Sequence, residues 1–313
     1  MKWTIKFLSG AAMLLFIQAC DKIEAPFREN INTVSGTNDS TIVISGDTIV
    51  FPYDNSTTMK KVLVEDFTGH LCGNCPYAGL LLNDTLRGTY GDKFVVISVH
   101  IGFYAHPCPG SAPCPGSSAP VGSFTTDFRD TVGDDWEKLF AISSVGNPNG
   151  MVDRIDFQSG QHVKGPDLWS SLIQSQSLLT ADFKLRIINQ YDSTSRELKT
   201  AVQTTVLNNK SGDYKLQLVL VEDSIVDWQE WYLPHLPPFD STYVHRDVLR
   251  KGINSSFGQV IFSGAVTAGT ISLEGFTYTI NANFDAVNCK VVAFIYDSSN
   301  YGVLQVEEKK VIE

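Results

Sequence analysis

Cysteine can act as nucleophile, metal ligand or covalent staple, and two cysteines stand three residues apart in Cys72-Gly73-Asn74-Cys75. At the start of a helix, unpaired N–H groups favour the thiolate, and two thiols at this spacing can close a disulfide. A second pair, Cys108 and Cys114, lies in a proline-rich stretch, and Cys289 stands apart. Three chemistries fit the C-x-x-C. It is a dithiol redox centre, half of a zinc site completed by Cys108 and Cys114, or a structural disulfide that never exchanges. Zinc sites are usually built from two short knuckles, and the gap holding Pro109 and Pro113 makes a poor second one, so no metal is expected. Nor is a cofactor.

The cysteines must be positioned by the elements around them. Val62-Leu63-Val64 reads as a buried strand, Thr68-Gly69-His70 as a turn, and Pro76 as the first residue of a helix, where its missing N–H costs nothing. Ala78, Leu82, Leu86 and Tyr90 recur every fourth residue along that helix, and Phe94 to His100 is an apolar run expected of a parallel strand. Together they predict a right-handed strand–helix–strand unit. Gly102 to Ser123 is a loop, and a Cys108–Cys114 disulfide would staple it. A second helix begins near Gly133, a turn spans Ser144 to Gly150, a short strand covers Met151 to Arg154, and Pro166 opens a last helix.

Beyond Leu179 the period changes from helix to strand. Phe183, Leu185 and Ile187 alternate with polar residues, as do Leu198 to Val206 and Leu216 to Leu220. Further strands are predicted at Tyr243 to Arg250, Gly258 to Phe262, Thr270 to Ile280, Cys289 to Tyr296 and Gly302 to Glu308, which describes an antiparallel β-sandwich. Cys289 alternates with Val291, Ala293 and Ile295 as a buried core thiol would, and His245 reads as structural. Trp228 to Phe239 (WQEWYLPHLPPF) reads as an irregular aromatic loop folded against its own sandwich, or, if exposed, as a binding patch.

The beginning of the chain carries an address. Lys2 and Lys6 precede the apolar stretch Phe7 to Ile17, which is too short to span a bilayer, and Ile17-Gln18-Ala19-Cys20 resembles a bacterial lipobox. Residues 1–19 are expected to be a lipoprotein signal peptide, with Cys20 lipidated and anchored in the membrane and residues 20–58 forming a tether. Within the tether, Thr41 to Ile44 and Thr48 to Phe51 could pair as a hairpin. The net charge of -10 becomes about -12 without the signal, which carries those two lysines and no acid, and such an acidic surface argues against nucleic acid as a partner.

Asp66-Phe67 followed by Cys72-Gly73-x-Cys75 resembles the thioredoxin superfamily, and Val145-Gly146-Asn147-Pro148 fits its cis-proline loop. The resemblance implies that Cys72 is the attacking thiol, Cys75 the resolving thiol and Asp66 a buried acid that moves protons. Pro148 would be the substrate-side proline, exposing the Asn147 backbone to a cysteine-containing chain. Leu71, the Gly-Asn interior and Pro76 depart from the superfamily pattern. His70 could stabilise a thiolate by its charge, or simply be solvated.

EDFTGHLCGNCP, GNPNGMVDR, VEDSIVDWQ, YVHRDVLR and CKVVAFIYD, in this order, resemble the twenty-eight-kilodalton outer-membrane-protein-related lipoprotein family of Bacteroidetes. That resemblance implies a thioredoxin-like α/β domain (59–179) followed by an all-β immunoglobulin-like sandwich (180–313), on an outer-membrane lipoprotein facing the periplasm or the cell surface. Two functions are compatible with it. One is thiol-disulfide exchange with cysteine-containing envelope proteins. The other is an adhesin-like binding lipoprotein in which Cys72–Cys75 is a permanent staple.

Overall fold

A computed structural model describes residues 39–232 and 234–313. The expected signal peptide, Cys20 and the first part of the tether lie outside the described residues.

The strand Val62–Thr68 is buried along almost its whole length. It pairs in parallel with Phe94–His100 on one side and antiparallel with Asn149–Val152 on the other. The helical segment between the first two strands starts at Cys75, one residue before the expected Pro76. It runs as α-helix over Cys75–Leu80, π-helix over Leu81–Leu86 and α-helix over Arg87–Tyr90. Apolar residues four apart drift by about 40° per step around an ordinary α-helix. A wider π turn takes up that drift, so Ala78, Leu82 and Leu86 all reach the core over Val62, Val64 and Val96.

The helix Thr131–Phe140 starts two residues earlier than expected, because the Asp130 carboxylate accepts the Val132 N–H (2.9 Å) and caps it. Pro166–Ser177 is the last helix and buries Trp169 and Ile173 beside the Cys75–Tyr90 segment. Helices thus cover both faces of the parallel pair.

That pair does not end the sheet. Phe94–His100 pairs on its far side with Val248–Gly252, Val248 opposite Ser98, and the Ser98 N–H donates to the Asp247 carbonyl (2.8 Å). Through Val248–Gly252 the same sheet continues into Tyr214–Glu222, Cys289–Asp297 and Val303–Lys310, eight strands in all among the described residues. Strands from before and after Leu179 therefore share one hydrogen-bonded sheet. The stretch expected to form one strand, Tyr243 to Arg250, is split. Phe239–His245 ends at Arg246-Asp247, where Asp247 takes a positive φ of 50°, and Val248–Gly252 turns into the main sheet.

Period-2 alternation divides the core. Leu216, Leu218, Leu220, Val291, Ala293 and Ile295 face a second sheet of Phe183–Asp192, Glu197–Val206 and Ile271–Thr279. Their neighbours Val219, Val221, Val292, Phe294 and Tyr296 face the opposite way, onto Trp136 and Phe140 of the capped helix. Cys289 lies in the first of these layers, where burial pushes its thiol up to about 12 and leaves it unreactive. The hairpin Ser40–Ile44/Asp47–Phe51 forms and lays Ile42, Ile44, Ile49 and Phe51 over Ala201 and Leu273 of the smaller sheet. Among the described residues no helix is long and apolar enough to cross a membrane.

Candidate functional site

Val62–Thr68 delivers the chain into a tight turn, and Gly69 passes so close to the Tyr104 carbonyl that a side chain there would collide with backbone. The Leu71 N–H donates to that same carbonyl (2.9 Å), the Cys72 N–H to the Gly69 carbonyl (2.9 Å) and the Cys75 N–H to the Cys72 carbonyl (3.0 Å). These bonds hold the two cysteines where a disulfide joins them, with Cα atoms 5.3 Å apart. Cys108 and Cys114 close separately as a second disulfide, which packs with Ala119 and Phe124 against Leu71. The four thiolates of a zinc centre are therefore not gathered at one point, and no group of three or more potential ligands is assembled among the described residues.

Asp66 occupies the strand that feeds the turn, opposite Ser98 on one side and Gly150 on the other. Its carboxyl is buried with Oδ1 lacking a hydrogen-bond partner, and burial pushes its pKa up to about 7. Tyr243 is raised by its own burial and further by the nearby Asp66 charge. A raised carboxyl contributes stability that is complete below its unfolded value near 4 and is lost as pH rises through 7. The Asp66→Asn variant, with the disulfide intact, is therefore expected to gain on wild type by about 2 kcal/mol between pH 5 and pH 7. Urea unfolding at the two pH values measures it, and parallel pH dependence of the two proteins would show Asp66 to be ionised normally.

Asn149 stands opposite Phe67, so Pro148 lies at the end of the sheet from which the cysteine turn departs. The Asn147–Pro148 peptide is cis, as is Leu236–Pro237. His70 is neither solvated nor a cation beside a thiolate. It is buried, its Nε2–H donates to the His106 carbonyl (3.0 Å), and burial lowers its pKa. It packs edge-on against Phe128, which also touches His100 and His245. Burial depresses both, His245 to about 4, so the whole cluster is neutral at pH 7.

The aromatic segment after Trp228 departs most from expectation. Ile225–Glu230 and Phe239–His245 form a hairpin that leans over the cysteine turn instead of folding onto the sandwich. The Glu230 N–H donates to the His70 carbonyl (2.7 Å) and the Tyr232 N–H to the Gly73 carbonyl (2.9 Å). Gln229 Nε2 donates to the carbonyls of Cys72 (3.1 Å) and Gly69 (3.3 Å), and the Tyr77 hydroxyl to the Tyr232 carbonyl (2.9 Å). The Tyr232 ring lies against Gly73 so closely that even a Cβ there would overlap it. Trp231 stacks on His235 and meets Tyr77 edge-on. Under this cover Cys72 is only 3% exposed and Cys75 4%.

Gln229, Glu230 and Tyr232 escaped the sequence reading because their partners lie some 160 positions upstream, as with Gln229 and Gly69. The density of aromatics and prolines in WQEWYLPHLPPF was the available signal. It marked a packed segment without saying against what.

Fold and site together define a mixed protein, α/β in front and β-rich behind, with a redox-capable cysteine pair closed beneath an aromatic hairpin. The chain belongs to the Omp28 outer membrane protein family, whose family model, described as Outer membrane protein Omp28, matches residues 137–313. That match takes in the covering hairpin and leaves Cys72 and Cys75 outside it. Membership supports a location in the outer membrane of the cell envelope. The chain is also similar to a crystal structure of a domain of the outer membrane lipoprotein Omp28 from Porphyromonas gingivalis. Identity is 20%, over 42% of this chain and 89% of that one, with a TM-score of 0.29. No curated protein matches the chain.

Proposed function

We propose that this protein is a lipid-anchored envelope thiol-disulfide oxidoreductase acting through Cys72 and Cys75, with residues 59–179 forming a thioredoxin-like domain and 180–313 an immunoglobulin-like sandwich. The observation that carries this reading is the disulfide itself, closed between two cysteines where a central parallel strand turns into a helix. The antiparallel strand entered from Pro148 and the buried carboxyl of Asp66 support it. The order of strands in the rear half, three in one sheet facing Tyr214–Glu222, Cys289–Asp297 and Val303–Lys310, supports the sandwich reading.

In the direction that starts from the disulfide, a partner thiolate attacks the Cys72 sulfur and the Cys72–Cys75 bond breaks. Cys75 leaves as a thiolate and takes a proton from Asp66, whose pKa near 7 suits it to give and regain one. A second partner thiolate then attacks the partner's own sulfur in the mixed disulfide and expels Cys72. The partner loses two electrons and the protein gains them. Asn147, beside Pro148, would offer its backbone to the partner chain during the first step.

A second reading is favoured by the burial of both cysteines in the turn that the hairpin covers: a permanent staple in a binding lipoprotein. The two are separated by equilibrating the full chain in glutathione buffers and by trapping with Cys75→Ser. Exchange predicts a potential above about -300 mV and mixed disulfides on Cys72; a lower potential with an empty trap establishes the staple.

A further inference from the structure

A cleft of about 300 Å³ opens directly beside the cysteine turn. Its walls include Leu71, which immediately precedes Cys72, the rings of Phe103, Tyr104 and Tyr232, and Ser117 from the Cys114 loop. Phe103 and Tyr104 meet nearly at right angles (81°, centroids 5.5 Å apart), so they form a corner rather than a flat patch, and Phe103 is 74% exposed at the rim. One acid belongs to the lining. Glu230 ends the first strand of the covering hairpin and is only 4% exposed.

The carboxylate of Glu230 is poorly compensated. Ser117 gives it one hydrogen bond, and Oε1 has no partner. No cation offsets its charge among the described residues, and burial raises its pKa. A buried carboxylate without a cation is costly, and the cost falls if one arrives. An acid at the base of a corner of aromatic faces is the chemistry that recognises an ammonium group, which the ring faces and the carboxylate attract together. Oε1 is unpartnered but itself buried, so only a slim, singly charged group can reach the carboxylate, which suits an ammonium better than the two-pronged guanidinium of arginine. The apolar rim offers a surface to a hydrocarbon stem behind the charge.

We propose that the cleft lined by Glu230, Tyr104, Phe103 and Tyr232 is a binding site for a lysine side chain presented by a partner protein. Its place beside Leu71 would set that lysine close to the partner cysteine that meets Cys72. This last step rests on the exchange reading above, whereas lysine binding does not.

Fluorescence anisotropy of two labelled, end-blocked peptides, Gly-Ser-Lys-Ser-Gly and its norleucine counterpart, tests the site on the full oxidised chain. Neither peptide contains cysteine, so the result is independent of redox activity. The lysine peptide is expected to bind at least tenfold more tightly than the norleucine peptide, and Glu230→Gln to abolish the difference. Equal binding of the two peptides by the wild-type protein would overturn the site, whether or not the variant folds. A difference that survives Glu230→Gln would remove Glu230 as the recognition group. Competition by n-butylammonium at the same concentration as the lysine peptide would overturn a polypeptide as the occupant, since the free amine would then suffice.

Discussion

Tyr232→Ala is expected to accelerate reduction of the Cys72–Cys75 disulfide by dithiothreitol about 5- to 10-fold, because it removes the ring that packs on Gly73. A reductant must approach Cys72, which is buried beside Gly73, where the Tyr232 ring packs. If small local opening admits the reductant, the rate follows the population of the open form. A ring seated against backbone but 45% exposed contributes about 1 to 1.5 kcal/mol, which converts to that rate factor at about 1.4 kcal/mol per tenfold. Tyr77→Phe removes only the hydroxyl that donates to the Tyr232 carbonyl, a bond worth about 1 kcal/mol, and should speed reduction about fivefold. The unfolded chain lacks these contacts too, so overall stability should fall by no more than the same amount in each variant. Rates measured by thiol alkylation, with melting temperatures alongside, decide the matter. Equal rates in wild type and both variants would show that the hairpin tip is not what shields the disulfide.

Arg154→Ala should destabilise the whole fold by about 3 to 5 kcal/mol. Arg154 and Glu65 are both fully buried, and the guanidinium donates through Nε (2.9 Å) and Nη2 (2.5 Å) to the Glu65 carboxylate. Its carbon lies 4.9 Å from the Trp136 ring centroid and 5.0 Å from those of Phe140 and Phe294. Removing the cation leaves the Glu65 carboxyl dry and unpaired, which is where most of the cost arises. The double variant Arg154→Met with Glu65→Gln leaves no charge behind and should recover a large part of the loss. Chemical denaturation of the three proteins measures both quantities. A double variant as unstable as Arg154→Ala would mean that packing against these three rings, not the ion pair, sets the cost.

Much of the layout was legible in the sequence because it follows local periodicity. The alternation of Phe183, Leu185 and Ile187, and of Leu216, Leu218 and Leu220, located strands that exist, since a half-buried strand must alternate. The strand before Cys72 and the helix after it were equally plain. What escaped is contact between distant segments. Glu65 and Arg154 were not legible as a pair, because a charged residue at a strand position ordinarily reads as a solvent-facing one. The π turn at Leu81–Leu86 shows in the sequence only as a four-residue spacing, which an ordinary α-helix cannot keep on one face. The strand break at Arg246-Asp247 depends on Asp247, whose carboxylate is held by Lys290 (2.6 Å) and by Arg87, both far away in the chain. At the cysteine site, the C-x-x-C spacing made the Cys72–Cys75 disulfide legible, whereas Asp66 and Pro148 were named only by resemblance. The hairpin above them could not be placed from its own residues, because aromatic side chains pack equally well on any apolar neighbour.

The sheet that runs through both halves bears on how such a molecule is inherited. A recombination event that joined the first 179 residues to a foreign sequence would strip Phe94–His100 of the neighbour that pairs with it at Ser98. It would also uncover the disulfide and deprive Arg154 of Phe294 and Tyr296. The front and rear halves are consequently expected to descend together as one evolutionary unit, with substitutions at Gly73 and Tyr232 tied to each other across more than half the length of the chain.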